Sequence, residues 1–157
     1  MIRDASLDDA KAIARIYNEG IEDRIATFET ELRSVEDIKA WFESGLPFVV
    51  LEIESQVLAY ALGVRYSGRC AYEGVLEFSF YVARDARGRG FGTAVLSEFI
   101  ETVRVRGFHK IVGNLMAGNG ASAAVMGRCG FREVGVYERH GQLDGEWHDV
   151  RVMEILI

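Results

Sequence analysis

Residues 76–93 read Leu-Glu-Phe-Ser-Phe-Tyr-Val-Ala-Arg-Asp-Ala-Arg-Gly-Arg-Gly-Phe-Gly-Thr, and the side-chain period changes across this stretch. Leu76, Phe78, Phe80 and Val82 alternate with Glu77, Ser79 and Tyr81, as on a half-buried strand. Val95, Leu96, Phe99, Ile100 and Val103 then recur at helical spacing. Between strand and helix lies a turn holding Gly88, Gly90 and Gly92 with Arg87 and Arg89. A glycine turn that opens a helix presents the unpaired N–H groups and the positive dipole end of the first helical turn. Glycines let an anion approach those amides closely, and the arginines add charge. The stretch is therefore a candidate phosphate or pyrophosphate site. The competing interpretation is a surface turn that is merely rich in glycine and arginine.

The turn ends Gly-Phe-Gly-Thr without the lysine of a P-loop. A Gly-x-G-x-x-Gly dinucleotide pattern started at Gly88 meets Thr93 at its last position and fails. The pattern that fits is Arg-x-x-Gly-x-Gly at Arg87, Gly90 and Gly92. In this the chain resembles the GNAT superfamily of acetyl-CoA-dependent N-acetyltransferases, whose pyrophosphate-binding signature follows a long strand in the same way. The resemblance extends over nearly the whole chain, in particular to the branch of phosphinothricin and methionine sulfoximine acetyltransferases. It is carried by Ile16-Tyr17-Asn18, Thr27-Phe28-Glu29, Trp41, Gly63, Arg69 with Ala71-Tyr72, and the strand Val75 to Val82. It continues through Asn119-Gly120-Ala121-Ser122, Gly130-Phe131 with Val134-Gly135, and residues 145–150, Gly-Glu-Trp-His-Asp-Val.

A chain of 157 residues suits one domain, here residues 1–157, with a sizeable core. Its 49% hydrophobic and 27% charged residues are ordinary for a globular protein. No apolar run is long enough to span a bilayer and the first residues have no signal-peptide core, which leads to the expectation of a cytoplasmic protein without membrane contact. The formal net charge of −6 argues against general nucleic-acid binding, while Arg84, Arg87 and Arg89 still form a local basic pocket. Cys70 and Cys129 suggest neither a disulfide framework nor a metal site, and Cys129 reads as a small buried hydrophobe.

Taken in order, the chain reads β-α-α-β-β-β-α-β-α-β-β. Ser6 with Asp9, and Ser34 with Asp37, are capping-box starts for the first two helices. The first helix is expected to end near Asn18-Glu19-Gly20, and Pro47 to close the second. Residues 54–56 read as a turn, 107 as the stop of the third helix, and Gly130 as that of the fourth. Residues 140–146 read as a glycine-rich turn before the last strand. The fold class is mixed α/β (α+β). The resemblance implies the GNAT fold: a twisted, mostly antiparallel sheet of about seven strands with four helices, whose two central parallel strands splay apart around the cofactor.

Site roles follow from the same resemblance. Glu77, on the strand face opposite the phenylalanine stripe, matches a glutamate thought to act as base. A base is needed because an alkylammonium must lose a proton before it attacks a thioester; the bland alternative is a solvated glutamate. The backbones of Phe80, Tyr81 and Val82 would bind the pantetheine arm, and residues Arg87, Gly88, Arg89, Gly90, Phe91, Gly92 and Thr93 the pyrophosphate. Asn119, with Ser122, matches the cofactor-binding asparagine, and Asn119 is equally an N-cap for the short fourth helix. Phe28, Glu29, Arg69, Tyr72 and His148 match positions that shape the acceptor pocket, and an arginine suits a carboxylate or phosphinate. One departure stands out. Val125 and Met126 fill the place where many GNAT enzymes carry a tyrosine or histidine acid, so the thiolate leaves with solvent or backbone help, or Tyr137 or His148 serves.

The implied activity is transfer of an acetyl group from acetyl-CoA, without a metal, to the α-amino group of a small amino acid or analogue, by a protein that is typically a homodimer. The alternatives are acetylation of another amine (polyamine, aminoglycoside or protein N-terminus) and an acyl-CoA-binding sensor without catalysis.

Overall fold

A computed structural model describes all 157 residues. The strands are β1 (Ile2–Asp4), β2 (Phe48–Ile53), β3 (Gln56–Arg65), β4 (Val75–Val82), β5 (Lys110–Met116), β6 (Arg132–Leu143) and β7 (Glu146–Leu156). The helices are α1 (Ala10–Asp23), α2 (Val35–Trp41), α3 (Phe91–Val105) and α4 (Gly120–Arg128). They follow one another in the expected order. One seven-stranded sheet runs β1-β2-β3-β4-β5-β7-β6, and only the β4–β5 pair is parallel.

Both faces of the sheet are covered, so the central strands are apolar on both sides. On β2, Val49 and Leu51 pack under α3 with Val95, Leu96, Phe99 and Val103. Phe48 and Val50 face the other way, against Ile13, Ile16 and Ile38 of α1 and α2. Phe78 joins the α3 side, within stacking range of Phe80, Phe99 and Phe131. Burial of such side chains at roughly 1.5–3 kcal/mol each is the main stabilising term. Both capping boxes form: Ser6 with Asp9, and Ser34, whose Oγ accepts from the Asp37 amide at 3.1 Å.

Three boundaries differ from expectation. The first helix runs past Gly20 to Asp23 and stops at Arg24, whose φ is 56°. Gly20 is kept inside the helix because a Cβ there would lie 2.8 Å from the ring of Tyr81. The second helix tightens into a 3-10 turn and ends at Gly45, with φ 65°, before Pro47 is reached. Lastly, residues 140–143 are strand rather than turn. The β6–β7 hairpin turns on Asp144 and Gly145 alone, both at positive φ, as a tight two-residue turn requires. What loosens the pattern upstream is an irregularity in register between Tyr137 and Gly141, where the Arg139 amide donates to Asp149 Oδ1 at 2.7 Å.

Candidate active site

The site originates in the one parallel pair. β4 and β5 are registered only through Val75–Lys110, Leu76–Ile111 and Glu77–Val112, after which they part. From Phe78 onward β4 keeps its β3 partner but has none on the other edge. The opening is a continuous cleft with two lobes. One, of about 810 Å³, is lined by Tyr17, Phe28, Glu29, Arg33, Trp41, Glu77, Ser79 and Asn114 among others. The other, of about 530 Å³, is lined by Asp23, Val82, Arg87, Gly88, Gly90, Phe91, Gly92, Thr93 and Arg128 among others. Ala26, Phe80, Tyr81, Asn119 and Ser122 line both.

Glu77 sits where the strands divide, as the last residue of β4 paired with β5. Asn114, from β5, donates its Nδ2 to Glu77 Oε1 at 3.1 Å, leaving Oε2 outside that contact. The glycine turn stands at the far end. Gly88 and Gly90 have φ of 75° and 84°, a left-handed region that side chains disfavour, and nothing lies within 4 Å of a Cβ built on either. Gly90 is the N-cap of α3 without a side-chain cap, so the N–H groups of the first turn, led by Phe91, Gly92 and Thr93, open toward the cleft. Gly92 is different: its φ is ordinary and a Cβ would meet Phe80, Val82 and Val125 at ordinary contact distances of 3.5–3.6 Å. Arg87 donates through Nη1 to Asp23 Oδ2 at 2.6 Å and through Nε to the Val82 carbonyl at 3.2 Å. Arg89 lies outside the cleft lining, exposed, with its guanidinium 4.8 Å over the ring of Phe91.

Asn119 is the N-cap of α4: its Oδ1 accepts from the Ser122 amide at 3.2 Å. It is also buried and borders both lobes, and its Nδ2 makes no hydrogen bond within the protein and remains free to donate. Tyr81 packs its ring against Tyr60 and edge-on to Tyr17, and burial pushes all three phenols above their ordinary pKa. At neutral pH they stay protonated. The segment after α1 forms a wall of the larger lobe, clasped at its end by Asn18, which donates to the Arg33 carbonyl at 2.9 Å and accepts from its amide at 2.8 Å.

The remaining expected acceptor residues are scattered. Phe28 and Glu29 line the larger lobe. His148 does not; it stands behind Phe28, with ring centroids 6.3 Å apart, on the strand opposite Gly141, whose bare Cα makes room for the Phe28 ring. Arg69 and Tyr72 are exposed on the connection before β4, outside the lining, where Tyr72 meets Tyr66 edge-on. Tyr137 is exposed as well and stacks on His140. Val125 borders the smaller lobe and Met126 the larger, so neither offers a proton. Tyr17, Trp41, Ser79, Arg33 and Asn114 line the cleft without having been assigned a role from sequence. Tyr17 and Trp41 lie on the apolar stripes of α1 and α2 and read as core, and nothing in the sequence pairs Asn114 with Glu77. No group of three or more His, Cys, Asp or Glu side chains is placed to hold a metal.

Comparison with known proteins supports this geometry. The profile of the acetyltransferase (GNAT) domain matches residues 1–132. An L-methionine sulfoximine/L-methionine sulfone acetyltransferase of Pseudomonas paraeruginosa is 32% identical, over 98% of this chain and 92% of its own. The crystal structure of a ribosomal-protein-alanine N-acetyltransferase from Brucella melitensis superposes with a TM-score of 0.96 at 35% identity, covering 100% of this chain and 99% of that one. A phosphinothricin acetyltransferase from Sinorhizobium meliloti, solved in complex with acetyl-CoA, gives 0.93 at 30% identity, over 100% of this chain and 88% of the other. With its splayed parallel pair, its glycine turn at a helix N-terminus and a profile match over most of its length, this chain belongs to the GNAT family of acetyltransferases.

Proposed function

We propose that the protein transfers the acetyl group of acetyl-CoA directly to the α-amino group of a small amino acid or analogue, of the phosphinothricin or methionine sulfoximine kind, with Glu77 as base. The observation that carries this is the single cleft joining a carboxylate at the β4–β5 division to an anion-binding helix N-terminus. The donor's diphosphate fits the residues present: free amides of α3, positive-φ glycines and Arg87. At Phe80, Tyr81 and Val82 the outer edge of β4 has no strand partner, and although Arg87 Nε occupies the Val82 carbonyl, this edge suits the peptide-like pantetheine arm, which would add to β4 as a strand does.

Acetyl transfer forms a C–N bond and breaks a C–S bond. Glu77 takes the proton of the incoming ammonium, and Asn114 holds the carboxylate for it. The thiolate then leaves toward Asn119 and Ser122, where the lobes meet. The second proton of the attacking amine goes to the thiolate, through solvent or through a phenol, since Val125 and Met126 carry none; Tyr17 lines the larger lobe and Tyr81 both, and burial keeps each protonated. Phe28, Glu29, Arg33 and Arg65 bound the larger lobe, and although Arg33 already pairs with Glu29 at 2.9 Å, these two arginines are the cations that a carboxylate-bearing acceptor would meet there. The exposed apolar residues of the β6–β7 hairpin, Val134, Val136, Tyr137 and Trp147, suit a homodimer. No helix is long and apolar enough to cross a membrane, and we place the protein in the cytoplasm.

A protein N-terminal alanine is the second acceptor to consider, favoured by the likeness to the Brucella structure. The test is thiol release from acetyl-CoA against phosphinothricin, methionine sulfoximine, methionine sulfone, spermidine, an aminoglycoside and an alanine-initiated peptide. Turnover confined to the first three supports the proposal. Turnover only with the others overturns the acceptor, and coenzyme A binding without any turnover favours a sensor.

A further inference from the structure

A carboxylate lies in the wall of the lobe to which a diphosphate is assigned. Asp23, the last residue of α1, borders that lobe and has both oxygens engaged. Its Oδ2 accepts from Arg87 Nη1 at 2.6 Å, and its Oδ1 accepts from Arg84 Nη2 at 2.9 Å and Nε at 3.2 Å. Arg84 and then Arg87 hold the Asp23 carboxyl below its usual range, so it is ionised at neutral pH. Arg84 is fixed further by Glu22 at 3.1 Å, and its amide donates to Glu19 Oε2 at 2.7 Å, which ties the start of the glycine turn to α1. Arg87 is thus held at two of its three nitrogens, Nε on the Val82 carbonyl and Nη1 on Asp23, and the Nη2 group between them is left over.

We propose that Asp23 is a positioning residue for donor binding: it holds the Arg87 guanidinium in place across the phosphate lobe, so that Nη2 meets the diphosphate already oriented. A long side chain loses rotamer freedom when it binds an anion, and an arginine ordered beforehand loses less. Pairing with Arg84, which also meets Glu22, and with Arg87 keeps the Asp23 charge from standing bare against the ligand. This rests on the donor reading above.

The experiment is calorimetric titration of coenzyme A into the wild-type chain, Asp23→Asn, Arg87→Gln and the double variant, with thermal melts to confirm folding. Asp23→Asn is expected to weaken coenzyme A about tenfold. The same substitution made in Arg87→Gln is expected to have little further effect, because its partner is gone. Displacement by pantetheine, which lacks the diphosphate, should weaken far less than coenzyme A binding does. Unchanged or tighter binding by Asp23→Asn overturns the proposal, the tighter case meaning that Asp23 acts as a bare negative charge. An undiminished effect in the Arg87→Gln background, or an equal loss for pantetheine, also overturns it by assigning Asp23 a role in the fold. A wild-type chain that binds no coenzyme A sinks the donor reading itself, a result distinct from all of these.

Discussion

Gly20→Ala tests how the helix and the cleft are joined. Within a helix, alanine is favoured over glycine by about 0.8–1.0 kcal/mol, so helix propensity alone predicts a more stable protein. The surroundings of Gly20 reverse the sign. A Cβ there would sit 2.8 Å and 3.0 Å from Cε1 and Cδ1 of Tyr81, 0.6 Å and 0.4 Å short of the 3.4 Å at which ordinary contact begins. The ring cannot retreat freely, since Tyr60 stacks on it at 5.6 Å and Tyr17 meets it edge-on at 5.2 Å. Overpacking of this kind typically costs about 1–3 kcal/mol. The net expectation is a destabilisation of about 1 kcal/mol, a fall in Tm of roughly 2–4 °C for a chain of this size. Because Tyr81 lines both lobes, kcat/KM should fall as well. Gly127→Ala in α4 is the control: no atom lies within 4 Å of its Cβ, so helix propensity acts alone and Tm should rise. Differential scanning calorimetry of the two variants decides. A Gly20→Ala protein that melts above wild type, in step with Gly127→Ala, would refute the packing argument.

Glu77→Gln preserves the shape that Asn114 contacts and removes the carboxylate proposed as base, so turnover should fall about a hundredfold or more while coenzyme A affinity is kept; unchanged kcat would exclude Glu77 as base. Asn119→Ala removes the α4 cap at a cost of about 1 kcal/mol and also raises the KM for acetyl-CoA, measured by melt and initial rates; a lowered Tm with unaltered KM would leave Asn119 only its cap. Asp9 is held below its ordinary pKa, first by its hydrogen bonds from Arg3, so its contribution to stability is present above the unfolded value near 4 and fades as pH falls through the lower folded value. Urea midpoints measured from pH 5 downward should therefore drop less steeply in Asp9→Asn than in wild type.

Much of the cleft was legible because its parts are local. The alternation of residues 76–82, the positive-φ glycines and the periodic helix after them each follow from neighbours in sequence, and together they locate the glycine-turn end of the cleft. The end at Glu77 is built differently. Tyr17 and Trp41 occupy helix stripes that any core-facing residue would occupy, and only the placing of α1 and α2 over the open edge turns them into a wall. Arg69 reads like a pocket arginine in sequence and stands outside the lining, because the connection carrying it folds away from β4.

What the sequence by itself determined is the element order, the capping of the first two helices, the alternation of the strand at residues 76–82 and the glycine turn at Arg87–Thr93, since each depends on periodicity or backbone conformation over a few residues. What only the tertiary structure decided is where β4 and β5 stop pairing, that Asn114 meets Glu77 there, and that Asp23 reaches Arg87 across 64 positions of chain. Those contacts join residues far apart in sequence, and side-chain periodicity carries no information about which distant strand edge or helix end will face another once the two hydrophobic layers have closed over the sheet.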